Sequence, residues 1–348
     1  MPYSYEKLLA FSEAVMCRAG LSEEESRIFC DSLLNAELRG IGSHGLTRLA
    51  TYAKRVEQGL VAGHTEPEIL QDSGAVLRID GKNAMGSCVG AKVMNLLIDR
   101  AAQYGTAFAA VCGGNHFGYA AYFTEMAARQ GMLGLAVANG PAAIPPTGGT
   151  TPLLGTNPVA ISIPAGGRRP ITLDMATSAV ARGKVALARK NGTSIPLGWG
   201  VDSHGKPTTD PNAVLDGGSM LPMAGPKGYG IALIVEILCS CLSGAMNGQT
   251  LGSFYDFSRT QDTGFAFGVI DLGKITDPEV FGARMDALCD SVKASSRAEG
   301  VDEIFLPGEI ESRRADRTKE TGITLSAAVE KELREVAAHF AVEFPEEI

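Results

Sequence analysis

Gly40-Ile41-Gly42-Ser43-His44-Gly45 is the stretch that most constrains the fold, because its glycine spacing matches the G-x-G-x-x-G fingerprint of dinucleotide-binding turns. That fingerprint has to follow a β-strand, whereas residues 31–39 before it carry a helical pattern. No other G-x-G-x-x-G follows a predicted strand, and the chain has no Walker A motif. The stretch therefore argues against a Rossmann architecture, and any nucleotide site must be built in another way.

A helix is predicted to begin in this stretch, with Ser43 as its N-cap and Gly59 at its end. His44, Arg48 and Tyr52 recur at i, i+4 and i+8 and form one polar stripe. The opposite, apolar face consists of Leu46, Leu49, Ala50, Ala53 and Val56. The positive end of the helix dipole favours a neutral imidazole in the first turn, and Arg48 can take a carboxylate bidentately. The alternative interpretation is an ordinary solvated helix face.

The composition is that of a globular protein with a substantial core. The chain has 348 residues, of which 45% are hydrophobic and 20% charged, and its net charge is −8. The acidic balance and the lack of a dense Lys/Arg run argue against a nucleic-acid partner. The opening MPYSYEKLLAF has no apolar signal-peptide core, and the apolar residues 229–246 include Glu236, which favours a buried helix over a membrane span. We expect a soluble, intracellular protein without a membrane partner.

The cysteines and histidines give little support to metal or thiol chemistry. The seven cysteines are scattered and include no C-x-x-C pair, so they are interpreted as reduced residues of a cytoplasmic protein. The five histidines include no H-E-x-x-H spacing. Only Cys112 lies near a predicted strand-to-helix turn, and two glycines follow it. No metal site is predicted, and a cysteine- or metal-dependent hydrolase is disfavoured.

Helical segments open and close the chain, and an α/β pattern lies between them. Helices are predicted over residues 5–18, 22–38, 90–104, 118–130, 178–190, 229–243, 278–299 and 325–340. Strands are predicted over residues 75–79, 107–112, 133–138, 158–163, 171–173 and 265–270. Ser22 with Glu25 is a candidate capping box, and Asp277 and Thr324 are candidate N-caps. Residues 191–218 are predicted to be a long surface excursion.

Two further glycine clusters lie between a predicted strand and a predicted helix. Residues 113–118 (GGNHFG) combine backbone N–H groups and a helix N-terminus with His116, so they can hold an anion. Residues 225–230 (GPKGYG) add Lys227 to a second such terminus. The alternative is that both are ordinary glycine-rich turns and that His116 is a packing residue.

Asp174 ends the strand-like run ITLD and precedes Met175-Ala176-Thr177-Ser178. A carboxylate at a strand end can orient a histidine or stabilise its charge. The competing interpretation is a plain helix-capping role.

Taken together, these segments resemble the malate/L-lactate dehydrogenase-like, NAD(P)-dependent oxidoreductases that lack a Rossmann fold. That family includes ureidoglycolate dehydrogenase, diketogulonate reductase, sulfolactate dehydrogenase and the piperideine/pyrroline-2-carboxylate reductases. The resemblance rests on segments in order along the chain: Ser43-His44-Gly45 with Arg48, Asn115-His116-Phe117-Gly118, Gly148-Gly149, Gly155-Thr156-Asn157-Pro158, Asp174-Met175-Ala176-Thr177-Ser178, Gly183-Lys184, Lys227-Gly228-Tyr229-Gly230 and Leu306-Pro307-Gly308-Glu309. It therefore spans most of the chain.

The resemblance implies an α/β (α+β) fold with a cofactor lobe on a mainly antiparallel sheet, a helical lobe from both chain ends, and a homodimer. We place the helical lobe at residues 1–72 with about 278–348, and the α/β portion at 73–277. His44 is the implied acid/base, supported by Asp174, with Ser43, Arg48, Tyr52 and His116 at the substrate. The expected NAD or NADP site is formed by His116, Phe117, Gly118, Gly155, Asn157, Asp174, Thr177, Ser178, Lys227, Gly228, Pro307, Gly308 and Glu309.

The expected reaction is hydride exchange between the nicotinamide and C2 of a small 2-oxo or 2-hydroxy acid, with Arg48 on the substrate carboxylate. Ureidoglycolate-type members carry a lysine beside the substrate where this chain has Gly140, which disfavours that substrate. The apolar run Pro141-Ala142-Ala143-Ile144 leans towards cyclic imino acids as an alternative. A non-catalytic nucleotide-binding protein is an alternative of another class, although it would need no acid/base residues.

Overall fold

The computed structural model describes residues 2–348 and is a mixed α/β structure built on one large sheet. The strands are β1 Pro2–Tyr3, β2 Glu68–Asp72, β3 Val76–Ala84, β4 Thr106–Gly114, β5 Met132–Ala138, β6 Val159–Ala165, β7 Arg168–Met175, β8 Gly200–Val201, β9 Ser219–Met220, β10 Thr263–Asp271 and β11 Ile323–Thr324. Seven of them form a sheet in the order β2-β3-β4-β10-β5-β6-β7, in which only the β3–β4 pair is parallel. The predicted mainly antiparallel, non-Rossmann fold is thereby confirmed.

Helices flank the sheet and form a separate layer at the chain ends. They are α1 Tyr5–Ala19, α2 Glu23–Leu38, α3 Leu49–Glu57, α4 Gly86–Tyr104, α5 Ala121–Arg129, α6 Arg182–Asn191, α7 Pro211–Leu215, α8 Pro226–Glu236, α9 Pro278–Ala294, α10 Glu309–Thr321 and α11 Ala327–Phe340. A π-helix, Ile237–Leu242, continues α8. Among residues 2–348, none of the helices combines the length and the apolar character that crossing a bilayer requires.

The two chain ends share one hydrophobic core. Helices α1, α2, α3 and α11 bury their apolar sides together, and β1 pairs antiparallel with β11. Tyr3 and Leu8 are fully buried there against partners that include Leu333. This confirms the predicted helical layer from both ends. Helix α9 instead contacts β6, and α10 contacts α2 and β7, so the exact lobe boundaries stay a prediction.

The central strands are buried on both faces. Helices α4 and α5 cover one face, where Phe123, Phe265 and Phe267 are fully buried. On the other face Val235 and Cys239, from α8 and the π-helix, pack on Ala266. Because both faces are covered, β10 shows a continuous apolar run instead of alternation.

Several predicted boundaries need correction. Ser43 is not an N-cap, because residues 42–48 form two 3-10 turns, Gly42–His44 and Leu46–Arg48, and α3 begins only at Leu49. The N-cap of α11 is Ser326 instead of Thr324. Ser22 and Asp277 do cap α2 and α9 by accepting backbone N–H groups.

Strand β2, helix α10 and the two-residue strands β1 and β11 escaped sequence analysis, and one predicted loop has structure of its own. Strand β2 was missed because all its residues are exposed, and α10 was missed because it is strongly polar. The predicted excursion over residues 191–218 contains α7 and strand β8, whose partner β9 follows directly after it.

Candidate active site

A cavity of about 840 Å³ lies where the helical layer meets the sheet, and it contains most of the predicted chemistry. Its size falls within the range of small-molecule and cofactor sites. The predicted site residues that line it are Ser43, His44, Arg48, His116, Phe117, Gly118, Asp174, Pro307 and Gly308. Other lining residues used below are Arg39, Gly140, Pro141, Ala143, Arg182, Arg189, Phe254 and Tyr255.

The end of α2 sets the path of the chain into the cavity. Gly40, at φ +75°, ends the helix in a Schellman motif, in which its N–H bonds to Glu37 O at 3.0 Å and that of Ile41 to Ala36 O at 2.8 Å. The Glu37 carboxylate then accepts the N–H of Leu46 at 2.9 Å. A Cβ on Gly45 would lie 2.0 Å from the same carboxylate, so a larger residue there would displace the Glu37 side chain from this contact. The glycines of the G-x-G-x-x-G stretch thus serve a helix end and a tight turn.

His44 lies between Gly40 and Gly45 and lines the cavity. Its Nδ1 lies 2.9 Å from the Ser43 hydroxyl. Burial, assisted by the nearby Arg48 guanidinium, lowers the pKa of His44 to about 4. The imidazole is therefore neutral at pH 7, as predicted, but for a different reason, because α3 begins after His44 and its dipole is not the cause.

His116 comes from the connection between β4 and α5 and stacks on His44. The ring centroids are 5.5 Å apart and the planes differ by 17°. The His116 Nδ1 contacts the Tyr52 hydroxyl in a short hydrogen bond and the Gly118 N–H at 3.3 Å. Its backbone N–H donates to Gln261 Oε1 at 3.0 Å. Burial, then the nearby His44 and Arg48, keep the pKa of His116 well below its usual value.

Arg48 points a partly unsatisfied guanidinium at the same space. Its Nε donates to Ser43 O at 2.7 Å, and its Cζ lies 5.5 Å and 5.3 Å from the ring centroids of Phe254 and Tyr255. Within residues 2–348, no hydrogen bond or ion pair engages its two terminal nitrogens. They are placed to bind a planar anion such as a carboxylate.

The aromatic wall beside Arg48 is held by a buried arginine. Arg55 has no exposed surface, and its guanidinium donates to the carbonyls of Phe254 (3.3 Å), Asp256 (2.6 Å) and Arg259 (3.2 Å). These bonds fix the loop over residues 253–259, whose Phe254 and Tyr255 face the cavity. Sequence analysis missed this role because the bonded carbonyls lie about 200 positions away.

Asp174 lines the cavity but contacts neither cavity histidine through a hydrogen bond. Its Oδ2 accepts the N–H of Ala121, the first residue of α5, at 2.9 Å. Asp174 therefore has the helix-capping role that was the competing interpretation, but it caps the N-terminus of α5, a helix distant in sequence. Burial raises the pKa of Asp174 to about 6, although the Ala121 N–H acts in the opposite direction.

The structure places the other predicted site residues outside the cavity lining. They are Tyr52, Gly155, Asn157, Thr177, Ser178, Lys227, Gly228 and Glu309. Tyr52 is buried behind His116, and Lys227 is exposed near the start of α8. Thr177 Oγ1 donates to Thr156 O at 3.0 Å, and Glu309 pairs with Lys293.

A buried carboxylate network beside the cavity was not predicted. Glu236 accepts hydrogen bonds from Asn139 Nδ2 (3.1 Å), Gly248 N (3.0 Å) and Asn157 Nδ2 (2.8 Å). Asn157 Oδ1 in turn accepts the N–H of Gly140, which lines the cavity, at 3.2 Å. The available signal was Glu236 itself, a lone carboxylate within an apolar run.

A second missed feature is the cationic side of the cavity, formed by Arg182 and Arg189. Arg189 pairs with Asp216 at 3.0 Å, whereas Arg182 has no hydrogen-bond or ion-pair partner among residues 2–348. Burial and the neighbouring Arg189 lower the pKa of Arg182. Arg182 can therefore attract an anionic group of a ligand.

No group of three or more His, Cys, Asp or Glu residues in the described part of the chain could hold a metal ion.

Comparison with known proteins agrees with this geometry. Residues 3–334 match the malate/L-lactate dehydrogenase family. The chain is 36% identical to an L-sulfolactate dehydrogenase of Methanothermobacter thermautotrophicus, covering 93% of both chains, and 34% identical to a malate dehydrogenase of Pyrococcus abyssi, covering 97% and 94%. The solved sulfolactate dehydrogenase of Methanocaldococcus jannaschii superimposes with a TM-score of 0.92 at 35% identity, covering 99% and 98%.

Replacing Arg55 by methionine tests the anchoring of the aromatic wall. Because Arg55→Met leaves buried carbonyls without donors, we expect faster amide hydrogen exchange over residues 253–259. Exchange is read by mass spectrometry, with Arg27→Met on the exposed side of α2 as the matched control. Unchanged exchange in this loop would show that Arg55 does not hold it.

Proposed function

The chain belongs to the malate/L-lactate dehydrogenase family and is a nicotinamide-dependent 2-hydroxy acid dehydrogenase, and we propose that its reaction takes place in the cavity between the helical layer and the sheet. The observation that carries this proposal is the meeting of His44 with the free guanidinium end of Arg48 in one cavity. An acid/base group and a carboxylate anchor are the protein groups that such a reaction needs.

The cavity also fits a nicotinamide cofactor in size and lining. Gly140 lines it, and no atom lies within 4 Å of the place where a Cβ would stand, so a side chain there would take up cavity space. Gly118, Pro307 and Gly308 offer further surface with little side-chain bulk. We assign cofactor contacts to these residues together with His116, Phe117 and Asp174. Two of the remaining predicted cofactor residues support this surface from behind, because Asn157 accepts the N–H of Gly140 and Thr177 donates to the carbonyl of Thr156, and both partners line the cavity.

The substrate is positioned by Arg48 through its carboxylate, which fixes C2 beside His44. When bound, the cofactor supplies the hydride chemistry at C2. Because the Ser43 hydroxyl engages Nδ1 of His44, Nε2 is the ring nitrogen that holds the proton of the substrate hydroxyl. In the ligand-free protein His44 is neutral, which is the form required to accept that proton.

A bound carboxylate changes the electrostatics of His44. Its negative charge offsets the Arg48 charge that disfavours the imidazolium, so substrate binding raises the pKa of His44 from its ligand-free value of about 4. The same histidine can then hold a proton for the reverse reaction, in which the developing alkoxide needs a proton donor. We assign Asp174 a supporting role, since it fixes the start of α5 on the cavity wall.

A substrate panel tests the proposed activity. The purified protein is mixed with NADH or NADPH and with 2-oxo acids that include oxaloacetate, pyruvate and sulfopyruvate, and nicotinamide absorbance is followed. We expect oxidation of one cofactor with at least one 2-oxo acid. Turnover of a cyclic imino acid alone would replace the proposed substrate class, and cofactor binding without any turnover would favour the non-catalytic alternative.

His44→Ala tests the acid/base assignment. A general acid or base typically contributes about 10²–10⁴-fold, so we expect turnover to fall by about that factor while NAD(P)H binding stays nearly unchanged. Turnover is measured at saturating substrate, and binding is measured by fluorescence titration. His204→Ala, at an exposed position in the 191–218 segment, is the matched control. Near-normal turnover of His44→Ala would remove His44 from the mechanism.

We also propose that the protein is a homodimer. An exposed apolar face runs along α8 and the π-helix, where Ile234 is 58% and Leu242 52% exposed, with Ile231 and Ile237 beside them. Faces of this kind on folded proteins are usually covered by a partner. Two copies of the same helix face can pack about a two-fold axis.

Ile234→Glu tests this proposed dimer face. A charge placed within a buried apolar interface is costly, so we expect the variant to sediment as a monomer in analytical ultracentrifugation. Ile275→Glu, at an exposed isoleucine outside this face, is the control and should leave the dimer intact. A monomeric wild-type protein, or an Ile234→Glu variant that remains dimeric, would contradict the proposal.

A further inference from the structure

We infer that Tyr52 is a positioning residue that fixes His116 in its Nε2–H form, so that His116 offers a permanent hydrogen-bond donor to the cavity while His44 alone exchanges the proton. This inference rests on the proposed function for the role of His44. It assigns Tyr52 a place behind the site instead of at the substrate. The tautomer itself is a property of the ligand-free protein and can be measured without any reaction.

The Nδ1 atom of His116 is a hydrogen-bond acceptor. The Gly118 N–H, 3.3 Å away, can only donate, and Nδ1 can accept it only if that nitrogen carries no proton. The Tyr52 hydroxyl reaches the same atom and is the partner at short distance. Because the Gly118 N–H requires Nδ1 to accept, the Tyr52 hydroxyl acts as a donor to the same nitrogen, and the single proton of the neutral imidazole is left on Nε2.

Tyr52 is a buried residue whose hydroxyl contacts this nitrogen. Its side chain is 3% exposed and is enclosed by the rings of Phe29 and Phe254, at centroid distances of 4.8 Å and 4.7 Å. Within the described residues, His116 Nδ1 is the sole hydrogen-bond partner of its hydroxyl. A proton on Nδ1 would deprive this buried hydroxyl of its acceptor, which is an added cost of the other tautomer. Burial also raises the pKa of Tyr52, so the hydroxyl keeps its proton and remains a donor.

The two histidines differ in how readily each can take up a proton. The charged or titratable groups that face His116 are His44, Arg48 and Tyr52, and Gln261 adds only a neutral amide. Protonation of His116 at Nδ1 would displace the Gly118 N–H, which can only donate, and would place a cation beside Arg48. Protonation of His44 at Nε2 leaves its Ser43 contact intact, because the hydroxyl oxygen can accept from Nδ1–H as well as donate.

The consequence lies on the cavity side of the His116 ring. Among residues 2–348, Nε2 of His116 has no hydrogen-bond partner, although the ring lines the cavity. Its N–H is therefore free to donate to a carbonyl or hydroxyl oxygen of a bound molecule. Since the donor is fixed before binding, it requires no reorganisation when the substrate arrives.

Nitrogen-15 NMR of histidine-labelled protein tests the tautomer directly. With five histidines in the chain, the imidazole signals can be assigned by single substitution. In the ligand-free wild type we expect His116 as the Nε2–H form with no titration across neutral pH. In Tyr52→Phe, which keeps the ring packing, we expect a mixture of tautomers. A wild-type Nδ1–H form, or an unchanged tautomer in Tyr52→Phe, would overturn the inference.

Kinetics provide the second measurement. Loss of a positioned donor should lower kcat/KM of Tyr52→Phe by about tenfold, and the pH profile should gain a second ionisation from the released His116. Tyr122→Phe, which removes a hydroxyl bonded to Asp31 at 2.7 Å away from the cavity, is the matched control and should change neither property. If neither the His116 tautomer nor the kinetics change in Tyr52→Phe, the inference is contradicted.

If Tyr52→Phe does not fold, the wild-type spectrum alone decides. If the spectrum shows the expected tautomer but no substrate turns over, the proposed function fails and the tautomer assignment stands.

Discussion

The site depends on the close contact between the Glu37 carboxylate and the backbone at Gly45 and Leu46. The carboxylate accepts the Leu46 N–H, and the missing Cβ of Gly45 leaves room for this contact. The resulting turn directs His44 and Arg48 into one cavity from two short 3-10 segments. A regular helix through these residues would have given a different separation between imidazole and guanidinium.

Burial then determines the charge state of the groups that this turn brings together. His44 and His116 are neutral because the protein removes water from them and because Arg48 is nearby. Arg48 itself loses hydration, and its terminal nitrogens have no protein acceptor among the described residues. A bound carboxylate would offset the cost of this partial desolvation. The same desolvation therefore disfavours the charged forms of these side chains and favours the binding of an anion.

The sequence predicted what local chemistry controls and missed what distant contacts control. The helices that begin at Ser22 and Asp277 were predicted because the capping residue and its N–H partners lie within one turn. The helix predicted from Ser43 was wrong because Gly45 adopts a non-helical backbone conformation, with φ −97° and ψ −146°, beside the Glu37 carboxylate. Tyr52 looked like part of an exposed stripe, yet its partner His116 is 64 positions away. Glycine motifs identified the correct segments, and the helical pattern of residues 31–39 predicted the helix that ends at Gly40.

Convergence of separate segments explains why the cavity needs the whole fold. His44 and Arg48 come from the helical layer, His116 and Asp174 from the sheet, and Phe254 from the loop that Arg55 anchors. The Tyr52–His116 hydrogen bond crosses between the first two of these layers, and the Arg55 bonds tie the third to the first. A shift of the helical layer against the sheet would break the ring stacking and the hydrogen bond together. The low pKa values of both histidines therefore depend on how the layers dock, because they require that water be excluded between the layers.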